Sequence, residues 1–238
     1  MEPMYYRVKK SIEDKIASKE FAVGEFLPNE ADLGSYYNAS RTTIRKAISM
    51  LVQDGKLIII RGKGTKVAPT TLNHNVDELM SFTDLMKKQG MSPSLINHTV
   101  ELMYPDAHTA QMLGISEEEK VYFIHRVRYA DTDPISINSS YIKADYIRGF
   151  DSSLIEKEQS LYGVLKEYFN TEIFDTEDSV MAVPATKEQA DILKVKKGSP
   201  LLYIERIAHD KKNQLIEYSK IYIRSDRYKH IIRLRKNS

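Results

Sequence analysis

Between Arg41 and Val52 the apolar residues fall at Ile44, Ala47, Ile48, Leu51 and Val52, the spacing of one buried helical face. The opposite face carries Arg41, Thr42, Arg45, Lys46 and Ser49, and Ser40 precedes it as an N-cap. Upstream, Tyr5, Val8, Ile12 and Ile16 form the stripe of a first helix that ends near Lys19, with a turn around Gly24. Leu27-Pro28 leads into Asn29, a second N-cap, with Glu30 and Asp32 in the first turn, where the helix dipole favours negative charge. That helix buries Leu33 and Tyr37 and closes at Asn38, a residue tolerant of the left-handed conformation. Leu57 to Ile60, with three β-branched isoleucines, is strand-like, Arg61-Gly62-Lys63-Gly64 is a glycine turn, and Thr65 to Val67 returns: a β-hairpin. Three short helices and a hairpin are therefore expected by residue 69.

The pattern then changes. Ala68 to Val76, with its Pro, Thr and Asn residues, has linker composition. Beyond it Leu79, Phe82, Leu85 and Met86 mark a helix, and further helices are expected near Ala107 to Leu113, Leu161 to Phe169 and Lys187 to Leu193. Strand-like runs cover Val121 to Tyr129, Ile135 to Ile142, Leu201 to Ile207 and Leu215 to Ile223. The turns Asp131 to Pro134 and Asp210 to Asn213 are too short for crossovers, so the strands pair antiparallel and the second part is α+β. The expected division is 1–69, a linker at 70–76, and 77–238.

Charge sharpens this division. Up to Pro69 there are 12 basic and 8 acidic residues, and beyond it 23 and 25, so the positive field is confined to the first part. From Arg41 to Pro69 Asp54 is the only acid. A short basic, hydroxyl-bearing helix beside a basic glycine turn fits the major groove of DNA, where Arg and Lys reach phosphates and guanine edges. The absence of cysteine excludes disulfides and thiolate chemistry. With neither a signal-like segment nor a membrane-spanning apolar run, the expectation is a cytoplasmic protein without membrane contact.

At this point the chain resembles a known family. Leu27-Pro28-Asn29-Glu30, Ser40 to Arg45 and Gly62-Lys63-Gly64-Thr65 resemble the winged helix-turn-helix of GntR-type transcription regulators. The second part is similar to the UTRA effector-binding domain of the HutC subfamily, a chorismate lyase-like fold. Ser81-Phe82-Thr83, Arg126-Val127-Arg128, Ser160-Leu161-Tyr162, Glu217-Tyr218 and Asp226-Arg227-Tyr228 carry that likeness. The resemblance implies a homodimer on near-palindromic operator DNA, regulated by a small metabolite and needing no cofactor. It assigns DNA contact to Arg41, Thr42, Thr43, Arg45 and Gly62, and the basic helix front and turn add Ser40, Lys46, Arg61 and Lys63 to the expected DNA-binding set. Two departures stand out: Asn29-Glu30-Ala31 replaces Ser-Glu-Arg, removing a phosphate-contacting arginine, and Gly34 replaces an alanine.

For the metabolite site, Arg126 and Arg128 lie two apart on an expected strand and so share a face, as an anion clamp would require. Ser81, Thr83 and Ser160 stand at helix starts, where hydroxyls and free N–H groups meet anionic oxygens. With Phe82, Asn138, Tyr162, Glu217 and Tyr222 they form the expected effector set, and a phosphorylated sugar is the expected ligand. Asn138 stands where sugar-phosphate relatives often have glutamate, so the sugar cannot be carried over from them. Glu217, Tyr218, Tyr222 and Arg224 cannot all point inward, because strand neighbours alternate faces. The bland reading of the two arginines is a polar sheet face paired with Glu205 or Glu217.

Two other functions stay open: a DNA-tethered lyase-like enzyme, and a regulator whose second domain only dimerises. Gly62-Lys63-Gly64-Thr65 lacks the glycine spacing and hydroxyl residue of a phosphate-binding P-loop. His74, His98, His108, His125, His209 and His230 show no metal-ligand spacing, and no nucleophile, base and acid assemble into a catalytic set.

Overall fold

The computed structural model describes residues 2–68, 71–75 and 80–234, and the chain divides into two units between Thr71 and Leu72.

In the first unit, α1 (Met4–Ala17), α2 (Glu30–Tyr37) and α3 (Arg41–Gln53) precede a hairpin of β1 (Leu57–Ile60) and β2 (Gly64–Val67). The caps fall where the sequence places them. Asn29 Oδ1 accepts from the Ala31 and Asp32 amides, Asn38 closes α2 in the left-handed region at φ 47°, and Ser40 Oγ accepts from the Thr43 amide. Val8, Ile12, Leu33, Ile44, Ala47, Ile48 and Leu51 join Leu57 and Val67 in one core. The hairpin is thereby packed against the back of α3, while the front of α3 faces outward.

In the second unit, six strands form an antiparallel sheet. They are β4 (Pro93–Met103), β5 (Val121–Ala130), β6 (Asp133–Lys143), β7 (Asp175–Pro184), β8 (Pro200–His209) and β9 (Leu215–Arg224), in the order β4-β5-β6-β9-β8-β7. The helices are α4 (Phe82–Lys88), α5 (Ala107–Leu113), α6 (Ser152–Glu158), α7 (Leu161–Phe169) and α8 (Lys187–Leu193). One sheet face packs on α6 and α7 through Ile124, Ile142, Ile155, Val164 and Leu165, and Leu85 and Met86 of α4 pack on Ile204 and Ile223. Leu193 and Ala190 of α8 pack with Ile137 and Leu201, whose side chains alternate to the other face.

Part of the expected linker is strand. Leu72–Asn75 forms β3, paired in parallel with β10 (Tyr228–Ile231), and buries Leu72 among Met86, Ile204 and Tyr228. Its polar alternation, with Asn73 and Asn75 outward, gives it a linker's composition. The expected boundary residues 69, 70, 76 and 77, and Leu79 of the expected helix, lie outside the described residues. Among those described, no helix is long and apolar enough to cross a membrane.

Candidate functional site

The first unit offers a groove between α3 and the hairpin, lined by Arg41, Arg45, Ser49, Arg61, Gly62 and Lys63. Gly62 sits at φ +77°, a turn conformation that glycine adopts without a Cβ penalty. The remaining expected contacts are distributed unevenly. Thr42 is exposed on the first turn of α3, and Thr43 Oγ1 is 2.9 Å from Ser40 Oγ, so that pair also closes the cap. Lys46 lies over the Tyr5 ring of α1, 3.7 Å from its centroid, which turns it from the groove towards the first helix. Arg45 is held from the side, its Nε donating to Glu30 Oε2 at 2.7 Å.

The second unit builds its site from sheet register. On the face covered by α6 and α7, Arg126 stands opposite Asn138, which stands opposite Ile221. The next row runs Ile124, Ser140, Ser219, Arg206, Asp178, and the one after it pairs Ile142 with Glu217. Small serines at the centre, with long polar residues around them, leave a hollow under α4 and α7. Its lining includes Ser81, Phe82, Arg126, Arg128, Asn138, Ser160, Tyr162 and Glu217, eight of the ten expected effector residues.

The electrostatics of this hollow are unbalanced. Arg126 is 3% exposed and Arg128 7%, yet among the described residues Arg126 Nε and Nη1 and Arg128 Nε have no hydrogen-bond partner. Arg126 Nη2 donates to Ser140 Oγ at 2.6 Å, and Arg128 Nη1 to Thr83 Oγ1 at 3.2 Å. Burial, followed by the neighbouring Arg126 charge, pushes Arg128 down to about 9. Burial likewise pushes Arg126 down, opposed by Glu217. Glu217 is the one carboxylate among the lining residues, and its Oε2 accepts from the Tyr162 hydroxyl at 2.8 Å. Burial and then the Glu217 charge push the Tyr162 hydroxyl up, so it stays a donor. Arg206, a third lining cation, is matched outside the hollow by a bidentate pair to Asp178, both bonds 2.7 Å. Two buried arginines therefore share one carboxylate, and unpaired charged donors at such depth are costly until an anion meets them.

Two expected residues are placed elsewhere. Tyr222 lies five positions from Glu217 and so points to the opposite face, where it stacks on Tyr203 with centroids 4.7 Å apart. Thr83 donates to the Gln159 carbonyl at 2.7 Å while accepting from Arg128, so it braces that arginine without lining the hollow. The alternative carboxylate Glu205 also faces away, accepting from Tyr203 and Tyr218 at 2.9 and 2.6 Å. The sequence reading missed His74, Ser140, Arg206, Ser219 and Tyr228, all of which line the hollow. Of these, Arg206 carried a signal: with Leu202 and Ile204 it continues an alternation whose inward position is charged.

Residues 4–67 match the gntR family of bacterial regulatory proteins, and residues 88–229 match the UTRA domain. The chain belongs to the GntR family. Its UTRA domain holds the arginine hollow, and its helix-turn-helix domain holds the basic groove. It is 30% identical to the HTH-type transcriptional repressor NagR of Bacillus subtilis over 226 residues, 95% of this chain and 92% of that protein. It is 33% identical to the probable fructoselysine utilization operon transcriptional repressor of Escherichia coli, over 94% of this chain and 91% of that protein. The crystal structure of PhnF from Mycobacterium smegmatis superposes with a TM-score of 0.76 at 20% identity, covering 97% of this chain and 100% of that one, a likeness of fold. GntR-family proteins are DNA-binding transcription regulators, which answers the lyase-like alternative: this UTRA domain belongs to a regulator and not to an enzyme.

Proposed function

We propose that this regulator is a repressor, binding operator DNA as a homodimer through Arg41, Arg45 and the Lys63 turn. Its UTRA hollow takes a phosphorylated sugar, and ligand binding lowers operator affinity. The observation that carries the ligand class is the set of buried donors Arg126 Nε, Arg126 Nη1 and Arg128 Nε, unpartnered among the described residues. A phosphoryl group presents several acceptor oxygens and about two negative charges near neutral pH, matching both the donors and the charge excess. Asn138, an amide, and Ser219 offer neutral hydrogen bonds to sugar hydroxyls, with Glu217 as the single acid. Relatives named as repressors, one of them for a fructoselysine operon, support both repression and a sugar-derived ligand. The unsatisfied arginines also argue against a domain that only dimerises.

A melting-temperature screen of the full chain against phosphorylated sugars, sugar acids and amino acids tests this reading. A ligand at one hundred times its Kd adds about 2.7 kcal/mol of stability. Stabilisation by phosphorylated sugars, lost in Arg126→Ala, is the expected result. Stabilisation by unphosphorylated acids alone, or by none of these compounds, would overturn it.

A further inference from the structure

The chain enters the second unit through closely spaced fastenings. The Ala68 N–H donates to the Lys56 carbonyl at 2.8 Å, and the Leu72 N–H donates to the Arg227 carbonyl at 2.8 Å. Residues 69–71 alone separate these two bonds. Whatever holds β3 therefore holds the chain that leads to the DNA-binding unit.

Two elements hold β3. Leu72 turns its amide to β10, and the next residue, Asn73, turns its backbone to the opposite edge, because successive peptide groups of a strand point in opposite directions. There Gln89, at the C-terminal end of α4, meets it twice. Gln89 Oε1 accepts from the Asn73 N–H at 3.0 Å, and Gln89 Nε2 donates to the Asn73 carbonyl at 2.6 Å. A side-chain amide thus takes the place of a neighbouring strand. Glutamine suits this edge because its amide offers one acceptor and donors together.

The opposite end of α4 belongs to the arginine hollow. Ser81 and Phe82 line it, and Thr83 accepts from Arg128. The Arg128 guanidinium carbon also lies 5.4 Å from the Phe82 ring centroid. One seven-residue helix therefore touches the anion-seeking arginine at its start and grips the incoming chain at its end. His74 of β3 lines the same hollow, its Nδ1 2.6 Å from the Tyr228 hydroxyl of β10, so β3 meets the hollow directly as well.

We propose that Gln89 is the residue that couples the ligand hollow to the DNA-binding unit. An anion that draws Arg128 towards it changes the Arg128–Thr83 and Arg128–Phe82 contacts, α4 shifts as a short rigid body, and the Gln89 amide carries that shift into β3. The inference rests on the ligand-regulated reading above. It adds the route by which one site biases the other, and names a residue that contacts neither ligand nor DNA.

The test uses the full chain and an operator duplex, with calorimetry in glucose 6-phosphate, fructose 6-phosphate and inorganic phosphate. Gln89→Ala removes both bonds, and Gln89→Glu keeps an acceptor while setting a carboxylate against the Asn73 carbonyl. In the parent, saturating ligand should weaken operator binding about tenfold or more. In both variants the separate affinities should stay within about threefold of the parent, while the coupling falls to within about twofold of unity. Variants that remain coupled like the parent would overturn the Gln89 route and leave ligand regulation standing. A parent that binds none of these probes, or binds them without coupling, would overturn the ligand reading and the route together. Hydrogen exchange on the parent covers the case of a poorly folded variant: protection of the Asn73 amide should change several-fold with ligand. An unchanged Asn73 amide would overturn the proposal.

Discussion

Glu30 and Arg45 are joined across the helix-turn-helix: the first residue of α2 accepts, on Oε2, a 2.7 Å hydrogen bond from Nε of the residue one turn into α3. Both side chains reach solvent, at 69% exposure for Arg45 and 39% for Glu30. Such a pair contributes about 0–1 kcal/mol to folding. With Nε engaged, the two terminal nitrogens of Arg45 are left as an end-on fork, the geometry that meets guanine O6 and N7.

Arg45→Ala should accordingly weaken operator binding by about 1–3 kcal/mol and relax selectivity at one base pair. Glu30→Ala should leave the melting temperature nearly unchanged yet loosen that selectivity, because the fork loses its support. Gel-shift titrations against single-base operator variants read both effects. Selectivity unchanged in both variants would mean that the reading surface lies elsewhere on α3.

Lys63, in the turn of the hairpin, should act differently. If it meets the DNA backbone, Lys63→Ala weakens operator and random duplex alike and reduces the salt slope by about 1. Titrations at several salt concentrations separate this from base reading, since loss at the operator alone would assign Lys63 to a base edge.

In the UTRA hollow, Arg126→Met should cost ligand binding about 2–5 kcal/mol, as expected for truncating one partner of a buried charge pair. Ligand-free stability should change far less. The variant removes two unsatisfied donors, offsetting what Glu217 loses from a nearby cation. Calorimetry and thermal melts on one preparation give both numbers, and a large loss of ligand-free stability would mean that Arg126 is a structural ion-pair partner.

The pH dependence of binding follows from the ligand. The second ionisation of a phosphate monoester lies near about 6, and the doubly charged form suits the excess positive charge of the hollow better. Affinity should therefore rise from pH 5 to pH 7 and then level off, with proton release on binding in the lower range. An affinity that falls over this interval would point to a protonated ligand group or a histidine as the anchor.

Much of this arrangement can be read in the sequence, and the remainder was hidden for physical reasons. The buried faces of α1 and α3 follow the 3.6-residue period, and the strands that begin at or next to Val121, Leu201 and Leu215 follow runs rich in aliphatic and aromatic residues. β4 was hidden because a register shift between Ile96 and Thr99 breaks its alternation. β7 is an edge strand with most residues exposed, so Asp175 to Ser179 looks like a charged loop. β3 is four residues long and half asparagine. In the site, strand parity puts Arg126 and Arg128 on one face, whereas Glu217 and Tyr222, both in the expected set, stand five positions apart and so take opposite faces. His74 and Tyr228 join the hollow only through the parallel pairing of β3 with β10, a contact between chain segments more than 150 residues apart that no local pattern encodes.

A two-fold arrangement should accompany operator binding, since one module of this size covers only a half-site. Light scattering on the full chain should give twice the chain mass without DNA. A monomer at high concentration would assign dimer formation to the operator itself.

The most direct test of the central claim is calorimetric titration of the full chain with the phosphorylated sugar that most raises its melting temperature, performed with and without saturating operator duplex. Ligand should bind about 5- to 150-fold more weakly to the operator-bound protein, a coupling of about 1–3 kcal/mol, and Arg126→Ala should abolish binding in both titrations. Equal affinity with and without operator, or binding indifferent to Arg126, would contradict the account.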